Sequence, residues 1–388
     1  MTKNYNIPFK EEIISGGEEG HLFIQVAEIN GEEAFRISLS SADYAFSACY
    51  PYLAKYFFEN LFPWLEVKIL SASLVFMLPL DKEFTSHAQK LETELENPKI
   101  TAASFLLAKG QAEEDLQKED PRLFKTSALL FPTKKNRLSG LEELKKADQT
   151  GLRRYISQRL TLNNVRWVGL GQGDSKLSFE DYLKNRKAGE EVKDIKEKED
   201  NWGEPFKGRK EVFEENKTSS LTLGVNLGLR GELYQEYGDD LFPLLKLLEL
   251  FSLGEASSFQ KEAYKKGLKE GEEPFKLVQS GEAIFFMKTF YTSSPSSLAA
   301  IFDKRMREGF KASYLSFLLA KRLEKGQLQL LLSSKEKMIY QETLALENNL
   351  TLVKEEDLFF ALKYSSLKKF LSHLRKCAYS IYIEGEKY

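Results

Sequence analysis

Histidine and cysteine are scarce in this sequence: only His21, His87 and His373, and only Cys49 and Cys377, occur among 388 residues. Two cysteines without neighbours of their own kind exclude a disulfide framework and a CxxC zinc site. The histidines lie in unrelated surroundings with no HxH or HExxH spacing, so no metal centre or histidine-based acid–base pair is written locally. A GxSxG nucleophile elbow is missing as well. No apolar run approaches the roughly 18 residues that a membrane span requires. The opening MTKNYNIPFKEEIISGGEEGH has no apolar core of the secretory kind. The expectations are a cytoplasmic, reducing location, with no metal, no cofactor and no membrane partner.

Excess charge is also missing. Fifty-six Lys and Arg stand against 58 Asp and Glu, a formal net charge of -2. Nothing therefore draws the whole chain toward nucleic acid, and any such contact must come from a local patch. What the chain does have is 42% hydrophobic and 12% aromatic residues, enough to bury a substantial core. At this length two domains are expected.

Strand-like and helix-like segments alternate in the first half. HLFIQVAEI and EAFRISLS flank Asn30-Gly31, a dipeptide suited to a tight hairpin turn because both positions tolerate positive φ. Asp43 to Leu61 reads as an aromatic-rich helix kinked or split at Pro51. VKILSASLVFMLPL reads as a buried strand or strand pair, and SHAQKLETELENP as a surface helix stopped before Pro98. ITAASFLLAK and SALLFP are short apolar segments, LSGLEELKKADQTGLRRYISQRL is helical with an interrupting glycine, and NVRWVGLG is a strand. Residues 184–217 are densely and evenly charged, as expected of a linker or surface excursion. TLGVNLGL then suggests a strand with glycine-permitted bends. Helical three-and-four spacing dominates from about residue 236 onward, with Gly254 and Gly326 where C-terminal caps are expected.

The predicted fold class is α+β: a mixed α/β N-terminal part over 1–183, the charged segment 184–217, and a mainly helical domain over 218–388 that opens with a strand. Strand order is not legible.

Three stretches carry candidate chemistry. Gly169, Gly171 and Gly173, with Lys176 close by, form a glycine-rich turn after a strand, where backbone N–H groups can approach a phosphate or cofactor. This spacing resembles the first glycine motif of S-adenosylmethionine-dependent methyltransferases. That resemblance implies a nucleotide- or S-adenosylmethionine-type ligand, although Trp167 stands where those enzymes carry an acidic residue. The alternative is a plain turn into a helix capped by Ser178, with Asp181 three residues on. Second, Glu66 and Lys68 have the ExK form of some metal-dependent nucleases, with Asp43 as the upstream acid; an ordinary strand pair carries the same pattern.

Third, Phe360, Tyr364, Leu367, Leu371, Leu374 and Ala378 share one face of a C-terminal helix. Lys368, Lys369, Arg375 and Lys376 lie off that face, and Arg305, Arg307 and Lys311 add to the basic character of the region. Such a stripe can meet an anionic partner. The functional expectation is a non-catalytic interaction protein, a subunit of a larger intracellular assembly. Its partner is a protein, with nucleic acid as a second candidate met through the basic C-terminal helices. The alternative is a small-ligand enzyme built on the 169–173 loop.

Overall fold

The computed structural model describes residues 9–15, 21–26, 36–42, 49–69, 73–118, 121–130, 140–161, 165–171, 173–185, 208–255, 257–280, 283–331 and 352–385. The chain is α+β, as its patterning predicts, and divides into two compact units. One comprises residues 1–119, 138–197 and 327–354. The other comprises 120–137, 198–326 and 355–388.

The first unit contains β1 (Phe9–Ser15), β2 (His21–Val26), β3 (Arg36–Ala42), α1 (Cys49–Leu61), β4 (Glu66–Ile69), β5 (Ser73–Pro79), α2 (Phe84–Glu96) and α3 (Ala102–Gln117). After an excursion into the second unit it resumes with α5 (Gly140–Lys146), α6 (Gln149–Arg159), β6 (Val165–Gly171) and α7 (Gly173–Asn185); the excursion itself is α4 (Pro121–Leu130). Its six-stranded sheet has the order β1-β2-β6-β3-β5-β4. Side chains alternate across each strand. Accordingly Leu74, Phe76 and Leu78 of β5 enter the helical core, while Val75 and Met77 form a separate cluster. Trp167 of β6 is fully buried and meets Phe84 and Tyr182 edge-on, at centroid distances of 6.3 and 5.2 Å.

The second unit carries β7 (Arg209–Glu215), β8 (Ser220–Leu229), α8 (Arg230–Tyr237), α9 (Leu241–Ser252), α10 (Ser258–Lys265), β9 (Gly271–Glu272), β10 (Lys276–Ser280), β11 (Ala283–Tyr291) and α11 (Pro295–Glu308). α12 (Tyr314–Leu331), α13 (Leu352–Ala361), α14 (Tyr364–His373) and β12 (Ala378–Gly385) follow. Its sheet runs β10-β11-β8-β12-β7, with β9 paired to β11. Leu221, Leu223, Val225 and Leu227 of β8 face the helices and share a core with Ile284, Phe286, Phe290, Ile381 and Ile383. Each such burial is worth about 1.5–3 kcal/mol, which seats this face firmly.

Several local expectations are corrected. HLFIQVAEI and EAFRISLS do not form a hairpin, because β6 stands between them, parallel to β2 and antiparallel to β3. The Asn30-Gly31 dipeptide lies outside the described residues. Pro51 falls in the first turn of α1, where its missing N–H removes no helical bond, so the helix is not split there. ITAASFLLAK and SALLFP belong to the helices α3 and α4. The glycine-interrupted helix is in fact two, and the second starts where Asp148 accepts the Gly151 N–H at 2.7 Å. Gly254 caps as expected, donating to the Glu249 carbonyl at 2.6 Å; Gly326 lies inside α12. Of the charged segment 184–217, residues 186–207 lie outside the described residues, while 209–215 form β7, parallel to β12.

Candidate functional site

The second sheet has two unlike faces. Opposite its apolar side, β8 presents Ser220, Thr222, Gly224 and Asn226. Cross-strand pairing sets these in rows: Tyr291–Ser220–Glu384, Thr289–Thr222–Tyr382, Met287–Gly224–Ser380 and Phe285–Asn226–Ala378. The Thr222 and Thr289 hydroxyls are 2.8 Å apart.

α4 lies along these rows. Arg122, Lys125, Thr126 and Leu130 share one face of it by their helical spacing. At the first row Arg122 donates from Nε to Glu384 Oε2 at 2.8 Å and from Nη1 to Glu273 Oε1 at 2.5 Å, with Tyr291 Oη at 3.4 Å. Glu384 is buried, and it also accepts from Ser220 Oγ at 2.8 Å and Asn216 Nδ2 at 3.1 Å. A buried carboxylate is tolerated only when paired and bonded in this way.

At the second row Lys125 Nζ donates to Tyr382 Oη at 2.7 Å and Glu214 Oε2 at 2.5 Å, and Tyr382 donates to the same carboxylate. The hydrogen bond from Lys125, then that from Tyr382, holds the Glu214 carboxyl below its usual range. Burial, then the bond to Glu214, pushes the Tyr382 phenol up to about 12. At the third row Thr126 stands over Gly224 and Ser380. At the fourth, Leu130 joins Ala283 and Phe285 in a small apolar cluster.

Not every polar group on this face is satisfied. Thr126 Oγ1, Ser380 Oγ and Asn226 Nδ2 are buried and have no hydrogen-bond partner among the described residues. Chemically the face can hold cations and hydrogen-bonding groups. Its carboxylates are tied to Arg122 and Lys125, and among the described residues no histidine is bonded to its hydroxyls to act as base.

The residues singled out in the sequence are dispersed. Gly169 and Gly171 lie within β6, Gly169 opposite Phe23 and Ile37 and Gly171 opposite Gln25. Gly173 opens α7. Ser178 is therefore interior to that helix and does not cap it. Lys176 pairs with Glu180 at 3.7 Å. Glu66 and Lys68 form an ion pair at 3.3 Å on β4, and Asp43 lies outside the described residues.

The C-terminal stripe is not one helix. Leu362 and Lys363 separate α13 from α14, a 3-10 turn covers Leu374–Lys376, and Ala378 opens β12. Leu367, Leu371 and Leu374 are buried in the core. Lys369 pairs with Glu236 at 3.3 Å and lies 4.9 Å from the centre of the Tyr237 ring; Lys368 lies 5.7 Å from that of Tyr364. Arg305 pairs with Glu262, and Arg375 Nε donates to the Arg307 carbonyl at 3.0 Å. Lys311 and Lys376 are exposed. Sequence reasoning missed β12 and α4. The alternation in AYSIYIEG is the strand signal that marks β12, whereas α4 carries no sign of its destination.

No family model matches the chain, and no curated protein matches it. Solved structures do. A putative M16-like peptidase from Alicyclobacillus acidocaldarius is similar at a TM-score of 0.69 and 12% identity, covering 98% of this chain and 99% of that one. A peptidase M16 inactive domain from Pseudomonas fluorescens is similar at 0.68 and 15%, covering 98% and 99%. The periplasmic protease PqqL from Escherichia coli is similar at 0.57 and 11%, covering 97% of this chain and 46% of that one. These likenesses show the fold, a peptidase-like one over nearly the whole chain. They overturn the small-ligand enzyme built on residues 169–173 and give no support to nucleic-acid contact through the C-terminal helices, while a non-catalytic role is compatible with them.

The local donor spacings of the zinc peptidase type are not found in the sequence. Two histidines and a glutamate at H-E-x-x-H or H-x-x-E-H spacing would supply such a donor set. Neither spacing occurs in the sequence, and among the described residues no group of three or more His, Cys, Asp or Glu could hold a metal. No helix among them is long and apolar enough to cross a membrane.

Proposed function

We propose that this chain is the non-hydrolytic half of a peptidase-fold pair, holding polypeptide while a companion chain of the same fold supplies the catalytic groups. One observation carries the reading: a peptidase-like fold spans 98% of the chain, yet the sequence lacks both metal-binding spacings. The twofold longer Escherichia coli protease, about half of which aligns with this chain, and the inactive domain from Pseudomonas fluorescens support a division of labour between two halves. We place the protein in the cytoplasm, in keeping with two free cysteines.

The test is reconstitution. The purified chain, with and without added zinc, is assayed on unfolded casein, alone and mixed with a chain of the same fold from the same genome that carries H-x-x-E-H. The expected result is cleavage by the mixture and none by this chain alone, with a one-to-one complex in native mass spectrometry. Cleavage by this chain alone, or absence of a complex, overturns the reading.

A further inference from the structure

We propose that α4 is a displaceable internal ligand of the polar sheet face, and that this face accepts a basic polypeptide segment with Arg or Lys three residues apart. Arg122 and Lys125 of α4 occupy the positions that the incoming side chains would take. The proposal does not depend on a companion chain.

Four observations converge on it. First, α4 is anchored by charge: Arg122 engages Glu273 and Glu384, and Lys125 engages Glu214 and Tyr382. Among its described side chains the fully buried apolar one is Leu130, with Leu123 partly buried beside the same cluster, whereas the opposite face of the same sheet is covered by many buried leucines and phenylalanines. Second, with α4 in place Ser380 Oγ and Asn226 Nδ2 of the sheet remain buried without partners among the described residues. Buried donors and acceptors are almost always satisfied in a final complement, and a helical segment, which keeps residues three apart on one face, could supply polar side chains to both.

Third, the face is built for close approach. A Cβ at Gly224 would lie 2.4 Å from Thr126 Cγ2, so the glycine leaves room for whatever lies above it. Fourth, α4 reaches the second unit from the first, and the chain returns to the first unit after it. Its release would therefore leave the strands of the second sheet intact.

The experiment uses the full chain and a fluorescent peptide of the α4 sequence PRLFKTSALL added in trans. In the R122E/K125E double variant the internal copy loses its anchors. The labelled peptide should then bind about tenfold tighter or more than it does to the wild type, because apparent affinity scales with the fraction of open face. A peptide with Glu at the Arg and Lys positions should not bind the variant. Equal affinity of the α4 peptide for wild type and variant overturns the proposal, as does tight binding of the Glu peptide.

Should the variant fail to fold, hydrogen exchange on the wild type decides the matter. Amides of 121–130 should exchange faster than those of β8 and β12, and faster still as salt is raised. Exchange as slow as that of β8 and insensitive to salt overturns the proposal.

Discussion

Thr126 of α4 rests against the backbone of Gly224 in β8. A Cβ built on that glycine would stand 2.4 Å from Thr126 Cγ2 and 2.7 Å from Ser380 Oγ. Sheet and helix are thus spaced for a residue with no side chain.

Gly224→Val should therefore force α4 away from the sheet. Overpacking of this kind costs about 1–3 kcal/mol. Urea unfolding should show a lower midpoint, and hydrogen exchange in 121–130 should rise more than in β8. An unchanged midpoint would show that α4 does not hold this position in solution.

The attachment should weaken in acid. Lys125 and Tyr382 hold the Glu214 carboxyl low in the folded state, so its contribution is complete above the ordinary glutamate value of about 4.3 and is lost as pH falls through the lower folded one. Lys125 is shifted the other way: burial opposes the charge, but the bonds to Glu214 and Tyr382 prevail and raise it. Its contribution is lost as pH rises past that raised value. Arg122, Glu273 and Glu384 lie along the same helix and sheet. Hydrogen exchange of 121–130, corrected for intrinsic rates, should be slowest near neutrality and accelerate below pH about 4. A flat profile would contradict this.

Lys288 is buried in β11, 3.0 Å from Glu249 and 3.4 Å from Glu272. Lys288→Ala removes the cation and its stem and takes from Glu249 its buried partner, while Glu272 keeps Lys269 at 2.9 Å, a loss of about 2–3 kcal/mol. Lys288→Met keeps the stem volume and should cost less. Equal denaturation midpoints for the two variants would show that the stem contributes nothing.

Trp167 fills the first unit's core beside Phe84 and Tyr182. Trp167→Ala should cost about 3–5 kcal/mol, read as a lowered unfolding midpoint. Gly171 lies in the same strand, opposite Gln25, so the motif is engaged in sheet pairing. No shift of the melting temperature with S-adenosylmethionine is expected in the wild type.

Helix boundaries were legible where local chemistry sets them. Gly254 ends α9 by donating back to Glu249, and α2 stops just ahead of Pro98. Strands were legible where two faces differ, as in SLTLGVNLGL. They were missed at AYSIYIEG, because a helical pattern runs directly into it and its first residue, Ala378, continues the helical spacing. The basic residues Lys368, Lys369 and Arg375 were legible as a stripe, but not their partners Glu236, Tyr237, Tyr364 and the Arg307 carbonyl, which come from distant or folded-back segments.

By itself the sequence determined the α+β content, the two-faced character of β8 and the absence of an H-E-x-x-H or H-x-x-E-H spacing. Composition, period and residue type decide these, and all three are local. Only the tertiary structure decided that β6 would stand between β2 and β3, and that α4, flanked in sequence by segments of the first unit, would belong to the second and lie on its sheet. Strand pairing joins backbone groups that every residue carries, so its order depends on which faces are buried together and not on local residue type. The seat of α4 depends likewise on Glu214, Glu273 and Glu384, three carboxylates far apart in the chain that the folded sheet brings within reach of Arg122 and Lys125.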